Sequence, residues 1–374
     1  VFQDYWSAAV DPAQANLRLG FGNGTASLLI VLLAPLMGAM ADRAGTKKRA
    51  LLGFALAASA LTAAFALVPA GEWLWALTLF VLASVGFMAA NLFYDALLIS
   101  VAPASRWHAV SGFGFAMGYL GGGLLYLGCV SAALQPQWFG LDSAINAALA
   151  AFVITGLWWA VFSLPLALMV PEPPAQQSDR AALAGGLKQL WQTLTHLRAR
   201  KAVWIFLIAY WLYIDAVGTT IRMAVAYGRS LGFEQSDLIV ALLITQFVGF
   251  PAALLMGWLG QRIGPRQGIL IGIGVYIGIC LWAAFIQSAW EFFAIAALVG
   301  LVQGGVQALS RSLYAGLIPA ERAGEFFGFY NLLGKFAALI GPPLFGLFGV
   351  WFGDVRYSML ALILLFLAGA IMLT

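Results

Sequence analysis

Charge is scarce in this chain. Asp, Glu, Lys and Arg together make up 9% of its 374 residues, where a water-soluble globule carries roughly a quarter, so a soluble fold is excluded. Cysteine and histidine are scarcer still, at two each. Cys129 and Cys280 both fall inside apolar stretches, which excludes a disulfide framework and a thiolate metal site. His108 and His196 lie in segments read below as cytoplasmic. No His-Glu-x-x-His, no Gly-x-Ser-x-Gly and no carboxylate-rich loop is present, so neither an enzyme nor a bound cofactor or metal is expected.

What is abundant is apolar surface: 63% of the residues, with a mean hydropathy of +0.92. Apolar runs of about 20 residues, long enough to cross a bilayer as helices, follow one another, and the period-2 pattern of a β-barrel does not compete. The expected fold is an all-α polytopic membrane protein. A net charge of +4 and a pI near 9.1 raise the question of nucleic acid, but the basic residues cluster in alternate short loops, as cytoplasmic loops do. The expected large partner is the lipid bilayer, not a nucleic acid.

One stretch organises the rest. Gln307 to Gly341 repeats, without a gap, the plan of Asn91 to Leu125. Leu97, Pro103, Ala104, Arg106, Gly112, Phe113 and Gly118 fall under Leu313, Pro319, Ala320, Arg322, Gly328, Phe329 and Gly334. Each copy is an apolar helix with buried polar groups, a Pro-Ala-x-Arg turn and a Gly-rich apolar helix, so the chain reads as two related halves.

Val1 to Trp6 reads as the end of a first span begun upstream, followed by a polar loop from Asp11 to Asn23. Counting that span as the first, spans two to six are predicted at about 26–41, 50–68, 73–101, 110–134 and 144–170, which makes 1–170 an N-terminal bundle. Gly114, Gly118 and Gly122 recur at four-residue spacing and predict a side-chain-free face for close helix packing. Residues 171–201 are a cytoplasmic linker, in which Leu183, Leu187, Leu190, Trp191, Leu194 and Leu197 oppose Lys188, Gln192, His196 and Arg198 as in a helix lying on the membrane surface. Spans seven to twelve are predicted at about 203–227, 238–259, 269–286, 292–318, 326–348 and 359–372, giving a C-terminal bundle over 202–374. Span two ends in GAMADRAGTKKR, a tight basic loop built from Gly38, Asp42, Arg43, Gly45, Lys47, Lys48 and Arg49. Span eight ends in a degraded echo of it, Gly257, Arg262, Gly264 and Arg266, with Gln261 where Asp42 stood. Only Arg18, Arg229 and Arg356 fall on the opposite side, so both motif loops are placed in the cytosol.

The GAMADRAGTKKR motif, its echo at Gly257 and the two six-helix halves joined by a cytoplasmic strap resemble the major facilitator superfamily over essentially the whole chain. NLFYDALL, SGFGFAMGYLGGG, QALSRSLYAGLIP and EFFGFYNLLGKF resemble, within it, the branch of the autophagy-related vacuolar amino-acid effluxer and its bacterial relatives. The resemblance implies a major facilitator fold of two pseudo-symmetric six-helix bundles, here with most of the first helix absent. It implies a monomer in a bacterial inner membrane that moves a small-molecule substrate by alternating access. Span four lacks the arginine of proton-coupled drug exporters and Gly118-Tyr119 stands where their signature has Gly-Pro, which disfavours drug–proton antiport. An exporter of lipid, siderophore or drug-like molecules, or a transport-inactive receptor or scaffold, remains the alternative. The resemblance also implies that Asp42 sits against the start of span eleven, near Glu325 to Phe327, and helps hold an outward-open form. A helix N-terminus welcomes an anion there.

An ionised side chain in the hydrocarbon core costs at least about 2.5–3.5 kcal/mol, so each one found there faces a partner or an aqueous cavity. Asp95, Asp215, Arg222, Arg311 and Lys335 are such groups. By resemblance, spans one, four, seven and ten line the central path, which places four of the five where a substrate passes. Asp95 and Arg311 occupy the same repeat position with opposite charge and read as a cytoplasmic gate pair, with Lys335 within reach; a substrate or proton site and a static pair are the other readings. Asp215 lies near the middle of span seven with Arg222 two turns along the same face. Desolvation favours its neutral form and a nearby cation its charged form, which suits proton exchange, although a fixed bridge from Asp215 to Arg222 or Lys335 is the competing reading. Asn91, Tyr94, Tyr213, Gln246, Gln307 and Asn331 add hydrogen-bonding capacity around the same cavity. Three cations against two anions suit a substrate that bears a carboxylate.

Overall fold

Apolar sequence in a bilayer must satisfy its backbone internally, and the helix does so within one segment. The computed structural model describes residues 1–173, 200–336 and 340–374, and among these residues there is no strand. The helices, in chain order, are α1 (Pro12–Ala44), α2 (Lys47–Ala64), α3 (Trp73–Val101), α4 (Trp107–Leu134), α5 (Ala144–Met169), α6 (Lys201–Ser230), α7 (Gln235–Ile263), α8 (Pro265–Ala283), α9 (Ala289–Leu317), α10 (Ala323–Phe336), α11 (Gly341–Phe352) and α12 (Leu360–Leu373). Among the described residues ten helical segments are long and apolar enough to cross a membrane, and α11 is a shorter apolar helix. The amphipathic strap expected over 183–198, with His196, lies outside the described residues.

Local chemistry sets several helix starts. Ser143 accepts from the Asn146 N–H at the head of α5. Glu234 with Asp237 and Ser288 with Glu291 form capping boxes at α7 and α9, each satisfying N–H groups that the first turn leaves without partners. Pro265 opens α8 at the position where a missing N–H is no loss.

Two expectations about the helices are corrected. Asp11 to Asn23 is not a polar loop, because α1 runs from Pro12. Pro12 suits a first helical position, Gln14, Leu17, Arg18 and Leu19 are good helix formers, and the Arg18 guanidinium lies 3.8 Å over the Trp73 ring. Gly22, read as a loop residue, allows close approach to α3: a Cβ there would fall 2.5 Å from Leu77. The single helix expected over 326–348 is interrupted: Ile340 lies outside any helix and a new one, α11, begins at Gly341. Consecutive prolines at 342 and 343 supply no N–H and restrict the residue before each, so a new helix starts there more readily than an old one continues.

The Cα packing separates two compact units, the first holding residues 1–101, 125–173 and 321–329, the second 102–124, 200–320 and 330–374. In the first, α2 packs on α3 and α5 and α1 packs on α3, through small residues such as Ala34 and Ala55 beside Ile30, Leu92 and Phe93. Its start is pinned by Trp6, which is 2% exposed. The indole sits against Phe65 and Phe152 and its N–H donates to the Val68 carbonyl at 3.1 Å, so a large ring is buried with its one donor satisfied.

In the second unit α9 packs on α7 and α8, and α12 on α6 and α8. Small residues bring the backbones close: a Cβ at Gly300 would fall 2.7 Å from the Thr245 carbonyl oxygen. The first turns of α4 meet α7 in the same way, but not through Gly118 or Gly122, two of the glycines the spacing singled out. Gly118 faces open space and a Cβ at Gly122 would touch only the Gln246 amide, at 3.7 Å. Gly112 makes the crossing, where a Cβ would lie 2.7 Å from the Ala253 oxygen and 2.8 Å from the Gly257 Cα.

Candidate functional site

Asp215 sits halfway along α6 and is 1% exposed. Its carboxylate is held by three donors. Oδ2 accepts the backbone N–H groups of Ile340 and Gly341, both at 3.0 Å, and Oδ1 accepts the Thr219 hydroxyl at 3.3 Å. The carboxylate thus caps the N-terminus of α11, the end of a helix that attracts negative charge. Gly341 has to lack a side chain for this contact, since a Cβ there would run into the Thr219 hydroxyl and fall 2.7 Å from Asp215 Oδ1. Arg222 folds its guanidinium back over Gly218, within about 3 Å of where a Cβ would stand, and it feels the Asp215 charge. Lys335 lies on α10; its side chain is outside the described set.

Arg311, 3% exposed on α9, reaches α4. Its Nε donates to Ser111 Oγ at 2.9 Å, a terminal nitrogen donates to the Ser111 carbonyl at 3.2 Å, and the guanidinium lies 5.1 Å from the Phe115 ring centre. Ser111 Oγ in turn donates a hydrogen bond to the Ala308 carbonyl at 2.7 Å. Among the described residues, two oxygens and an aromatic face thus meet a buried cation. One turn away, His108 Nδ1 and Ser312 Oγ are 2.8 Å apart. Tyr213, fully buried on α6, shares a hydrogen bond of 2.7 Å with Ser310, and Phe206, Tyr210, Tyr314 and Tyr330 stack, the closest pair being Tyr210 and Tyr330 with centroids 4.2 Å apart.

The basic motif is built in the first unit. Gly45 turns the chain between α1 and α2 at a φ of +60°, a conformation that favours glycine. Asp42 Oδ1 and Oδ2 accept the N–H groups of Gly324 and Glu325 at 2.9 and 2.8 Å, which caps α10, and Lys47 Nζ lies 2.6 Å from Oδ1. Asp42 is 6% and Lys47 5% exposed, so the pair is largely dry. Gly38 lets the backbones meet: a Cβ there would run into the Gly324 carbonyl. Glu325 in turn holds Arg322 by two hydrogen bonds of 2.9 and 3.0 Å. Lys48 and Arg49 give their backbone N–H groups to the Glu172 carboxylate at 2.7 and 3.0 Å, and Lys48 Nζ donates to the Ala167 carbonyl. Arg43 is half-buried at the end of α1.

Of the remaining expected polar groups, Asn91, Asp95, Gln246, Gln307 and Asn331 are half-buried on α3, α3, α7, α9 and α10, and Tyr94 is 39% exposed on α3. The second unit thus brings together Asp215 with Thr219 and Gly341, and Arg311 with Ser111. Ser111, Thr219, Gly341 and Glu172 were not singled out from sequence. Thr219 lies one helical turn after Asp215, and Gly341 directly precedes a Pro-Pro pair. Both signals are local. Nothing local marks Ser111, whose importance comes from the chain that crosses it.

The arrangement holds buried ions by hydrogen bonds to helix ends and hydroxyls. The family model described as vacuole effluxer Atg22 like matches residues 21–102 and 99–374. The chain is 36% identical over 374 residues to the uncharacterized MFS-type transporter YxiO of Bacillus subtilis (strain 168), covering 99% of this chain and 87% of that protein. It is 27% identical over 286 residues to autophagy-related protein 22-2 of Aspergillus clavatus, covering 69% of this chain and 46% of that protein. The chain spans less than half the length of the autophagy-related relatives it matches. The solved structure of the major facilitator superfamily proton:xylose symporter XylE bound to 6-bromo-6-deoxy-D-glucose shares its fold, with a TM-score of 0.76 at 14% identity over 99% of this chain and 88% of that one.

Proposed function

This chain belongs to the vacuole effluxer Atg22-like family of the major facilitator superfamily, and we propose that it carries small carboxylate-bearing solutes, amino acids foremost, across a bacterial plasma membrane by proton-coupled alternating access. That it is a multi-pass membrane transporter follows from the family and the fold. The solute, the coupling and the membrane are this proposal.

The observation that carries the reading is Asp215. A carboxylate in the middle of an apolar helix closes the break between two others by binding the N–H groups of Ile340 and Gly341. Discontinuous helices whose N-termini face an anion are a recurrent device of transporters. Charge-assisted hydrogen bonds are roughly twice as strong as neutral ones, so a proton arriving on Asp215 loosens the cap of α11, and loss of that proton restores it. Protonation is thereby tied to the geometry of a broken helix, which is what coupling requires. Arg222 beside it supplies a cation for a solute carboxylate. The names of the autophagy-related relatives and of the family model fit small-solute efflux.

A thermal-shift screen of amino acids, peptides and organic acids at two pH values, followed by counterflow of the hits in proteoliposomes, tests the reading. Flux is expected to respond to an imposed pH gradient in the native protein and to lose that response in Asp215→Asn. Flux indifferent to the gradient removes the coupling, and the absence of flux for every carboxylate-bearing solute removes the substrate class.

A further inference from the structure

The connection between α4 and α5 holds no buried residue, yet it is tightly built. Between Leu134 and Ala144 the chain makes a 3₁₀ turn, Pro136–Phe139. Pro136 opens it, where a missing N–H is no loss, and Gly140 closes it at a φ of +69°, a conformation that favours glycine. Backbone hydrogen bonds lock the turn: the Gln135 N–H donates to the Ser131 carbonyl at 2.9 Å, Gly140 to Gln137 at 3.2 Å and Leu141 to Pro136 at 3.0 Å. What it displays is aromatic. Trp138 is 80% and Phe139 52% exposed, the opposite of the packed ring of Trp6. An ordered turn that holds two large rings clear of the protein points to a partner for them.

We propose that this turn is a membrane-surface anchor, with Trp138 and Phe139 set in the phospholipid headgroup layer of the leaflet opposite the basic loops. Lipid is the partner because the turn joins α4 and α5, the least buried of the ten candidate spans. Exposed apolar surface also runs up to it: Leu127 and Leu134, seven residues apart and so on one face of α4, are both exposed. The depth follows from the residue types. Gln135, Gln137 and Asp142 keep the turn out of the hydrocarbon core, where polar groups and charges are costly, and an amphipathic indole favours the layer between core and water. The other strongly exposed tryptophans agree. Trp75 in the first turn of α3, Trp290 in the first turn of α9 and Trp351 in the last turn of α11 are each at least 64% exposed. By the alternation of spans each stands, like Trp138, on the side away from Arg49, Arg106, Arg262 and Arg322. Because the backbone of the turn is already closed, seating the rings orders little else, and the turn fixes the depth of this end of α4 and α5.

The test reads Trp138 itself. The full chain is produced with fluorotryptophan and placed in phosphatidylcholine nanodiscs, and the fluorine resonance of Trp138 is assigned as the one lost in Trp138→Phe. Three paramagnetic probes are then compared: a water-soluble gadolinium chelate, a phosphatidylcholine with a nitroxide near its headgroup, and one with the nitroxide at the end of an acyl chain. The nitroxide near the headgroup is expected to cause the largest loss of Trp138 signal. A larger loss from the chelate puts the ring in water, a larger loss from the chain-end nitroxide puts it in the core, and no loss from any probe shows that protein covers it, as a second copy of this chain would. Each of those three results overturns the proposal. None of them touches Asp215, so the transport reading stands or falls separately.

Discussion

At the residue scale, carboxylates in this protein do one job repeatedly: they close the N-terminus of a helix that is not their own. Asp42 caps α10, Glu172 caps α2 and Asp215 caps α11. Each stays buried or half-buried because two backbone N–H groups replace the water it lost. Replacing Asp215 with Ala leaves those of Ile340 and Gly341 without a partner, and we expect a loss of about 1–3 kcal/mol in stability. Asp215→Asn keeps an oxygen acceptor and should lose about half as much. Thermal unfolding in detergent measures both, and a midpoint for the Ala variant equal to that of the native protein contradicts the capping role. Asp42 and Lys47 form the other residue-scale test, since a dry ion pair that loses one member strands the other. Asp42→Asn is expected to destabilise more than the double variant Asp42→Asn, Lys47→Met does relative to Lys47→Met. A double-mutant cycle should return a coupling of about 1–3 kcal/mol.

At the element scale, glycines place the helices, and their positions matter more than their spacing. A four-residue rhythm in α4 points to Gly114, Gly118 and Gly122, yet the backbone crossing with α7 occurs at Gly112, and Gly118 has nothing beside it. The rhythm marks a face of a helix, whereas the neighbour selects one point along it. Gly118→Ala is accordingly expected to leave stability unchanged within about 0.5 kcal/mol. Gly112→Ala and Gly341→Ala, each forced against backbone or a held side chain, should each lose about 1–3 kcal/mol. Unfolding midpoints of the three variants, measured side by side, separate these cases. The break at Gly341 belongs to the same scale. Two prolines stand in the first turn of α11 and a carboxylate from α6 caps it, so this helix start depends on a residue 126 positions away.

At the scale of the whole molecule, alternation of spans converts a charge count into topology. If each span crosses once, with α10 and α11 in series as one, Arg49, Arg106, Arg262 and Arg322 share a side, and Arg229 and Arg356 lie on the other. From the basic excess we expect the first side to face the cytosol. With Cys129 and Cys280 replaced by Ala, a membrane-impermeant maleimide should label Gln137→Cys in intact cells and reach Arg49→Cys only after the cells are opened. Labelling in the reverse order inverts the orientation.

The class of the protein, most of its helices and its family were legible in the residues, because hydrophobic length and loop charge are local quantities that a bilayer reads segment by segment. The list of intramembrane charges was legible for the same reason: an ion in an apolar run stands out wherever it falls. What each charge touches was not. That Asp215 meets the head of α11 and Arg311 meets Ser111 depends on segments more than a hundred residues apart arriving at one place. Hydrogen bonds are short-ranged and directional, so only the tertiary structure could pair these groups.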